Sequence, residues 1–117
     1  MAPAALGPYS QAVSVGNLLF ISGQLPIDPT TGKMVEGDIA THTHQVLANM
    51  RAIAEAAGAN LDQVVKTTIF LTDLGDFQAM NSAYATHFPA APPARSTVQV
   101  AALPLGSNIE IEAILSL

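Results

Sequence analysis

The sequence predicts an α+β fold, a mixed β-sheet with two helices packed on one face, in the order β-β-α-β-α-β-β. Three observations predict it. Several short stretches are rich in β-branched and aliphatic residues. Two longer stretches carry apolar residues at helical spacing. The helical stretches do not alternate strictly with the strands, as they would around a wholly parallel sheet.

The elements follow in order. SQAVSVG (10–16) and NLLFISGQ (17–24) read as two strands joined across Gly16-Asn17, a hairpin dipeptide. PIDPTTGK (26–33) is a turn-rich loop. Residues 38–57 form the clearest helix, with Ile39, Val46, Leu47, Met50, Ile53, Ala54 and Ala57 on one face. Asp38 suits its N-cap and Gly58 its stop. VVKTTIFLTD (64–73) reads as a strand. A second helix spans Asp76 to His87, with Phe77, Met80, Tyr84 and Phe88 along one side. Pro89 and AAPPA form a stiff loop, and RSTVQVAA (95–102) and NIEIEAILSL (108–117) close the chain as strands joined by LPLGS. If these two strands form a hairpin, the sequence does not fix its register.

The bulk properties bound the function. The chain has 117 residues, and 1–117 reads as a single domain. Half of the residues are hydrophobic and 11% are charged, more apolar than a small monomer can hide, so an oligomer is expected. Neighbouring subunits are expected to cover the sheet face that the helices leave bare. Net charge is −5, and Lys33, Arg51, Lys66 and Arg95 form no cluster, so no nucleic-acid partner is expected. The absence of cysteine excludes disulfides and thiol chemistry. The start has no signal-peptide pattern, and no apolar run reaches the ~20 residues of a membrane span. The expectation is a soluble, cytoplasmic protein with no membrane partner.

A few residues stand out chemically. Arg95 heads a strand in which Arg95, Thr97 and Gln99 share one face and Ser96, Val98 and Val100 the other. The valine face suits the core under the helices, which directs Arg95 to the opposite face. A guanidinium buried there needs an anion, Glu110 or Glu112 of this chain or a ligand carboxylate gripped through two hydrogen bonds; the remaining alternative is a solvated strand end. Glu110 and Glu112 share a face of an otherwise apolar strand, either as a solvated edge or as a carboxylate set to orient water or move a proton. Asn81 lies beside the apolar stripe of the second helix, bonded to backbone or aimed into a site. Ser22 lacks the setting of a nucleophile. Gly23 marks a bulge or a close backbone approach. His42 and His44 project from opposite sides of their helix and cannot share a metal ion, so no metal site is expected.

The segments GPYSQAV (7–13), FISGQLPIDPTTG (20–32), VVKTTIFLTDLGDF (64–77), MNSAY (80–84) and PARSTVQVAALPLGSNIEIEA (93–113) together resemble the reactive intermediate deaminase family, RidA, also called YjgF, over essentially the whole chain. The resemblance implies a chorismate-mutase-like fold assembled as a homotrimer, with sites between subunits. It implies hydrolysis of 2-imino acids such as 2-iminobutanoate and 2-iminopropanoate to 2-keto acids and ammonia, with no metal or organic cofactor. By position, Arg95 matches the arginine that holds the substrate carboxylate, and Glu110 the glutamate that positions the attacking water. Tyr9, Ser22, Gly23, Asn81 and Thr97 match site-lining positions, Thr97 standing where many bacterial relatives carry cysteine. Many relatives carry further residues before the segment that opens this chain, so a shortened or absent first strand is expected. Two other classes stay open on the sequence: a non-catalytic 2-keto acid binding or sensing protein, and an endoribonuclease or translation inhibitor, which the scattered cations disfavour.

Overall fold

A computed structural model describes residues 3–117. β1 (Ala12–Val15) and β2 (Leu18–Gln24) form the first hairpin, followed by α1 (Ile39–Ala56), β3 (Val64–Leu71), α2 (Phe77–Ala85), β4 (Ala94–Gln99) and β5 (Ile109–Ser116). The first strand is present, with only four residues. The sheet order is β1-β2-β5-β3-β4. Neighbouring strands run antiparallel except β3 and β4, which are parallel. A parallel pair needs a crossover, and α2 supplies it.

Local chemistry sets the ends of α1. The Asp38 carboxylate accepts from the Thr41 N–H at 2.9 Å, as an N-cap does. At the other end Gly58, with φ +79°, donates to the Glu55 carbonyl, and the Ala59 N–H reaches the Ala54 carbonyl at 2.8 Å. This double closure is the Schellman pattern, and its left-handed position favours glycine. The helix stops one residue earlier than its apolar face suggests, leaving Ala57 exposed as the C-cap.

The closing strands form no hairpin with each other. β5 inserts between β2 and β3, and β4 lies on the far side of β3. The division follows composition. Ile109, Ile111, Ala113 and Leu115 of β5 are all buried, which suits a central strand. β4 offers Arg95, Ser96, Thr97 and Gln99, which suit an edge.

Strand register assigns the two faces of the sheet. Leu19 and Ile21, Thr67, Ile69 and Leu71, and the buried residues of β5 pack beneath the helices. Val46, Leu47 and Met50 of α1 and Met80 of α2 meet them with no exposed surface. Among the described residues no helix covers the opposite face. Val13, Phe20 and Val98 lie on it, with Phe20 40% and Val98 43% exposed. A buried polar contact also ties α1 to the loop after β2: the Asn49 amide donates to the carbonyls of Leu25 at 3.2 Å and Ile27 at 2.8 Å. No helix among the described residues is long and apolar enough to cross a membrane.

Candidate active site

The register settles the direction of Arg95 and reverses the expectation. Arg95 pairs with Thr67 and Thr97 with Ile69, and both partners face the helices. Arg95 therefore lies on the helix side of the sheet, and Val98 on the bare side. An edge strand reverses the reasoning from hydrophobicity, because α2 covers β4 only in part. The arginine meets the aromatic stripe of α2, with its guanidinium carbon 5.5 Å from the Phe77 ring centroid and 5.1 Å from that of Tyr84. Tyr84 is fixed in turn by a 2.8 Å hydrogen bond between its hydroxyl and that of Thr67. Burial raises its pKa, opposed by that hydrogen bond and by the Arg95 charge.

No carboxylate among the described residues pairs with Arg95. Glu110 and Glu112 stand on the other face, opposite Phe70 and Thr68 of β3. Asn81 lies between Phe77 and Tyr84 on the stripe of α2 that Arg95 meets. The Asn81 side-chain carbonyl and the Thr97 hydroxyl are buried without a hydrogen-bond partner. Buried polar atoms are rarely left so, and two beside an unpaired cation mark a place for a polar ligand.

On the bare face, Tyr9, Ser22, Gly23 and Glu110 converge on one cleft of about 560 Å³, with Leu6, Leu25, Pro104 and Glu112 completing its wall. The size falls within the ~300–1,000 Å³ of small-molecule sites. The register of β2 against β5 shifts between Ile21 and Gln24, so Ser22 and Gly23 form a bulge beside Glu110. A Cβ at Gly23 would lie 2.5 Å from Glu110 Oε2, so the glycine makes room for the carboxylate. Ser22 Oγ donates to the Ser10 carbonyl at 2.6 Å, which leaves its lone pairs rather than its proton for a ligand. The Tyr9 hydroxyl oxygen accepts from the Leu6 N–H at 3.1 Å and keeps its own hydrogen to donate. Burial first, and then the charge of Glu112, raise the Glu110 pKa. A carboxyl so placed can both take and return a proton.

The seven residues singled out in the sequence thus form two half-sites. Arg95, Thr97 and Asn81 gather against α2, and Tyr9, Ser22, Gly23 and Glu110 line the cleft on the other face. One chain does not bring the two together. Sequence reasoning passed over Leu6, Leu25 and Pro104, for which the chain carries no local signal, and Phe77 and Tyr84, which read only as core. Among the described residues no three His, Cys, Asp or Glu side chains are grouped to hold a metal ion. His44 meets His87 instead, Nδ1 to Nε2 at 2.9 Å, and His42 bridges Asn108 and the Val35 carbonyl.

Comparison with known proteins covers nearly the whole chain. The family model described as Endoribonuclease L-PSP matches residues 1–116. The chain is 58% identical over 116 residues to Reactive Intermediate Deaminase A, chloroplastic, of Arabidopsis thaliana, spanning 99% of this chain and 62% of that protein. It is 50% identical over 113 residues to the 2-iminobutanoate/2-iminopropanoate deaminase of Homo sapiens, spanning 97% of this chain and 82% of that one. The crystal structure of RidA from an Antarctic Psychrobacter matches at a TM-score of 0.96 and 51% identity, covering 99% of this chain and 94% of that one.

Proposed function

The chain belongs to the Endoribonuclease L-PSP family, which includes the reactive intermediate deaminases, and from that premise we propose that its two half-sites, joined between subunits, hydrolyse 2-imino acids to 2-keto acids and ammonia. The observation that carries this reading is Arg95. It has no carboxylate partner among the described residues and stands beside two buried side-chain oxygens without a hydrogen-bond partner. A substrate carboxylate satisfies the guanidinium through paired charge-assisted bonds, worth about 1.5–3 kcal/mol each.

The chemistry needs little more. An imine carbon next to a carboxylate is already electrophilic. Glu110 holds a water and takes its proton as oxygen bonds to that carbon. That proton passes to the nitrogen to give a carbinolamine; Glu110 then takes the carbinol O–H proton as the carbonyl forms and delivers it to the nitrogen, which leaves as ammonia. Tyr9 donates a hydrogen bond, and Ser22 accepts one, at the wall of the same cleft. No step calls for a metal or an organic cofactor.

The assembly is a homotrimer in this reading. The bare sheet face, with Val13, Phe20 and Val98 exposed, is the surface a second copy covers. Association then carries the Arg95 group of one copy to the Glu110 cleft of the next. The setting is cytoplasmic, where such imines arise from amino-acid dehydratases. The four cations are dispersed over a loop, α1 and both sheet faces, which gives RNA no basic groove.

The test is a threonine dehydratase reaction run with semicarbazide to trap free imine. Added protein is expected to speed 2-ketobutyrate release and lower the trapped fraction, and the Arg95→Ala variant to do neither. Equal acceleration by the variant sinks the mechanism. Binding of 2-ketobutyrate by calorimetry, with no acceleration by the wild type, would make this a sensor instead.

A further inference from the structure

The Glu110 cleft contains a second carboxylate with no role so far. Glu112 lines the same cavity from two positions along β5, on the same face, so strand geometry sets the two side chains about 7 Å apart at their origins. Neither carboxylate has a cation partner among the described residues. Lys66, on the same face of β3, gives its ammonium hydrogens to the Thr67 carbonyl and the Thr68 hydroxyl, each at 3.0 Å. The surroundings of Glu110 are otherwise uncharged: Ser22 and Gly23 of β2, Phe70 across from it on β3, and the Tyr9 hydroxyl. In the proposed assembly Arg95 of a second copy joins them.

We propose that Glu112 is a positioning residue of this site, whose negative charge keeps a proton available on Glu110. This rests on the deaminase reading and deepens it. The reaction asks one group for two opposite acts. Glu110 must be ionised to take a proton from the attacking water as the C–O bond forms. It must then hold each proton until the nitrogen accepts it, the second coming from the carbinol hydroxyl as the C–N bond breaks. A lone exposed glutamate is a poor acid at neutral pH, and the Arg95 charge of a neighbouring copy would make it poorer still. A fixed negative charge on the same face opposes that pull. Burial of Glu110 against Gly23 works in the same direction, and the upward displacement of its pKa agrees with both causes. Glu112 itself is exposed, so its substitution leaves the core untouched.

The pH dependence of kcat/KM decides the matter, with imine generated in situ by excess dehydratase. In Glu112→Gln the acid limb is expected to move to lower pH by roughly half a unit or more, the size set by one charge at this spacing in a half-solvated cleft. Glu112→Asp is expected to restore the wild-type limb. A Glu112→Gln limb that coincides with the wild type, or moves up, overturns the proposal. Carbon NMR titration of the wild-type carboxyl groups gives a second measurement that needs no variant. The Glu110 signal is expected to titrate at higher pH than the ordinary glutamate range, in the direction that burial and the neighbouring Glu112 charge both push it; a Glu110 signal at or below that range overturns the proposal as well. Failure of the deaminase reading looks different, because the wild type itself would then accelerate nothing at any pH.

Discussion

Arg95 spreads its guanidinium over two rings of α2 and leaves its hydrogen-bonding edges for a ligand. Cation–π contact steadies such a group by about 0.5–1 kcal/mol at partly exposed sites but satisfies none of its donors. The geometry of those donors should therefore matter more than the charge. Arg95→Lys keeps the charge and loses the planar fork. Calorimetry is expected to give a Kd for 2-ketobutyrate weaker by roughly 10- to 100-fold, from the loss of one charge-assisted bond. An unchanged Kd would mean that the arginine acts as a point charge alone. Gly23 makes the complementary case on the other face. Its Cα–H leaves space that the Glu110 carboxylate fills, and a methyl group there meets Oε2 and Cδ at 2.5 and 2.7 Å. Gly23 is not among the glycines with positive φ, so Gly23→Ala meets steric rather than backbone resistance. The carboxylate must swing away. A displacement of about 1 Å costs on the order of 10²-fold in rate. The expected result is a large fall in kcat/KM with a thermal midpoint close to wild type, and retained activity would show that Glu110 need not sit where it does.

The elements hold these side chains through a few polar ties. Asn49 of α1 reaches under the sheet edge to the carbonyls of Leu25 and Ile27, and so sets the loop that gives the cleft its Leu25 wall. Asn49→Leu is expected to lower stability by about 1–3 kcal/mol in denaturant titration, because the Ile27 carbonyl loses its side-chain donor while the Leu25 carbonyl keeps only the Ile27 N–H at 2.8 Å. A second tie joins the outer faces of α1 and the end of α2. Arg51 can only donate, so the 3.4 Å contact makes His87 Nδ1 an acceptor, and neutral His87 then donates from Nε2 to His44. Burial first, then the charges of His44 and Arg51, depress the His87 pKa from its ordinary 6.5 to about 4. The unfolded chain takes up this proton near pH 6.5, whereas the folded chain refuses it until about pH 4. Stability is therefore intact above pH 6.5 and falls as pH drops through that window. His87→Gln is expected to flatten this part of the stability–pH curve, and an unaltered slope would place the titrating group elsewhere. Much of this level was legible in the sequence. Helical spacing and the Asp38 and Gly58 signals fixed α1 to within a residue at each end, and Gly16-Asn17 fixed the first hairpin. The order of strands was not legible. Adjacent strands in sequence read as a hairpin, and only the competition for central positions, which β5 wins with its aliphatic face, puts β3 between β4 and β5. The wrong face for Arg95 came from giving the valine face of β4 to the core, since alternation assigns residues to two faces without saying which is covered.

At the scale of the whole molecule the two half-sites set a geometrical problem. Arg95, Thr97 and Asn81 lie on the helix side of the sheet, and Glu110 lies with Tyr9, Ser22 and Gly23 on the other. A sheet does not pass a substrate through itself, so one chain cannot use both groups on one molecule. Association solves this if the bare face of one copy meets the β4 edge of another, and the exposed Val13, Phe20 and Val98 supply an apolar surface for that contact. A closed ring of copies repeats the same contact at every interface. Each site then takes its arginine from one chain and its glutamate from another, which has a direct consequence for mixed assemblies. Arg95→Ala and Glu110→Gln are each expected to be inactive alone. When the two are unfolded together and refolded as a mixture, some interfaces draw Arg95 from the Glu110→Gln chain and Glu110 from the Arg95→Ala chain. Those sites are wild type in composition. Random assembly of equal amounts makes them about a quarter of all sites, so the mixture is expected to recover up to about a quarter of wild-type activity in the trapped-imine assay. Phe20→Glu, which sets a charge on the bare face, is expected to give folded monomers by light scattering and circular dichroism, with no activity. If the mixture stays inactive while both variants form mixed oligomers, the site does not lie between chains, and a different route must bring Arg95 to the substrate.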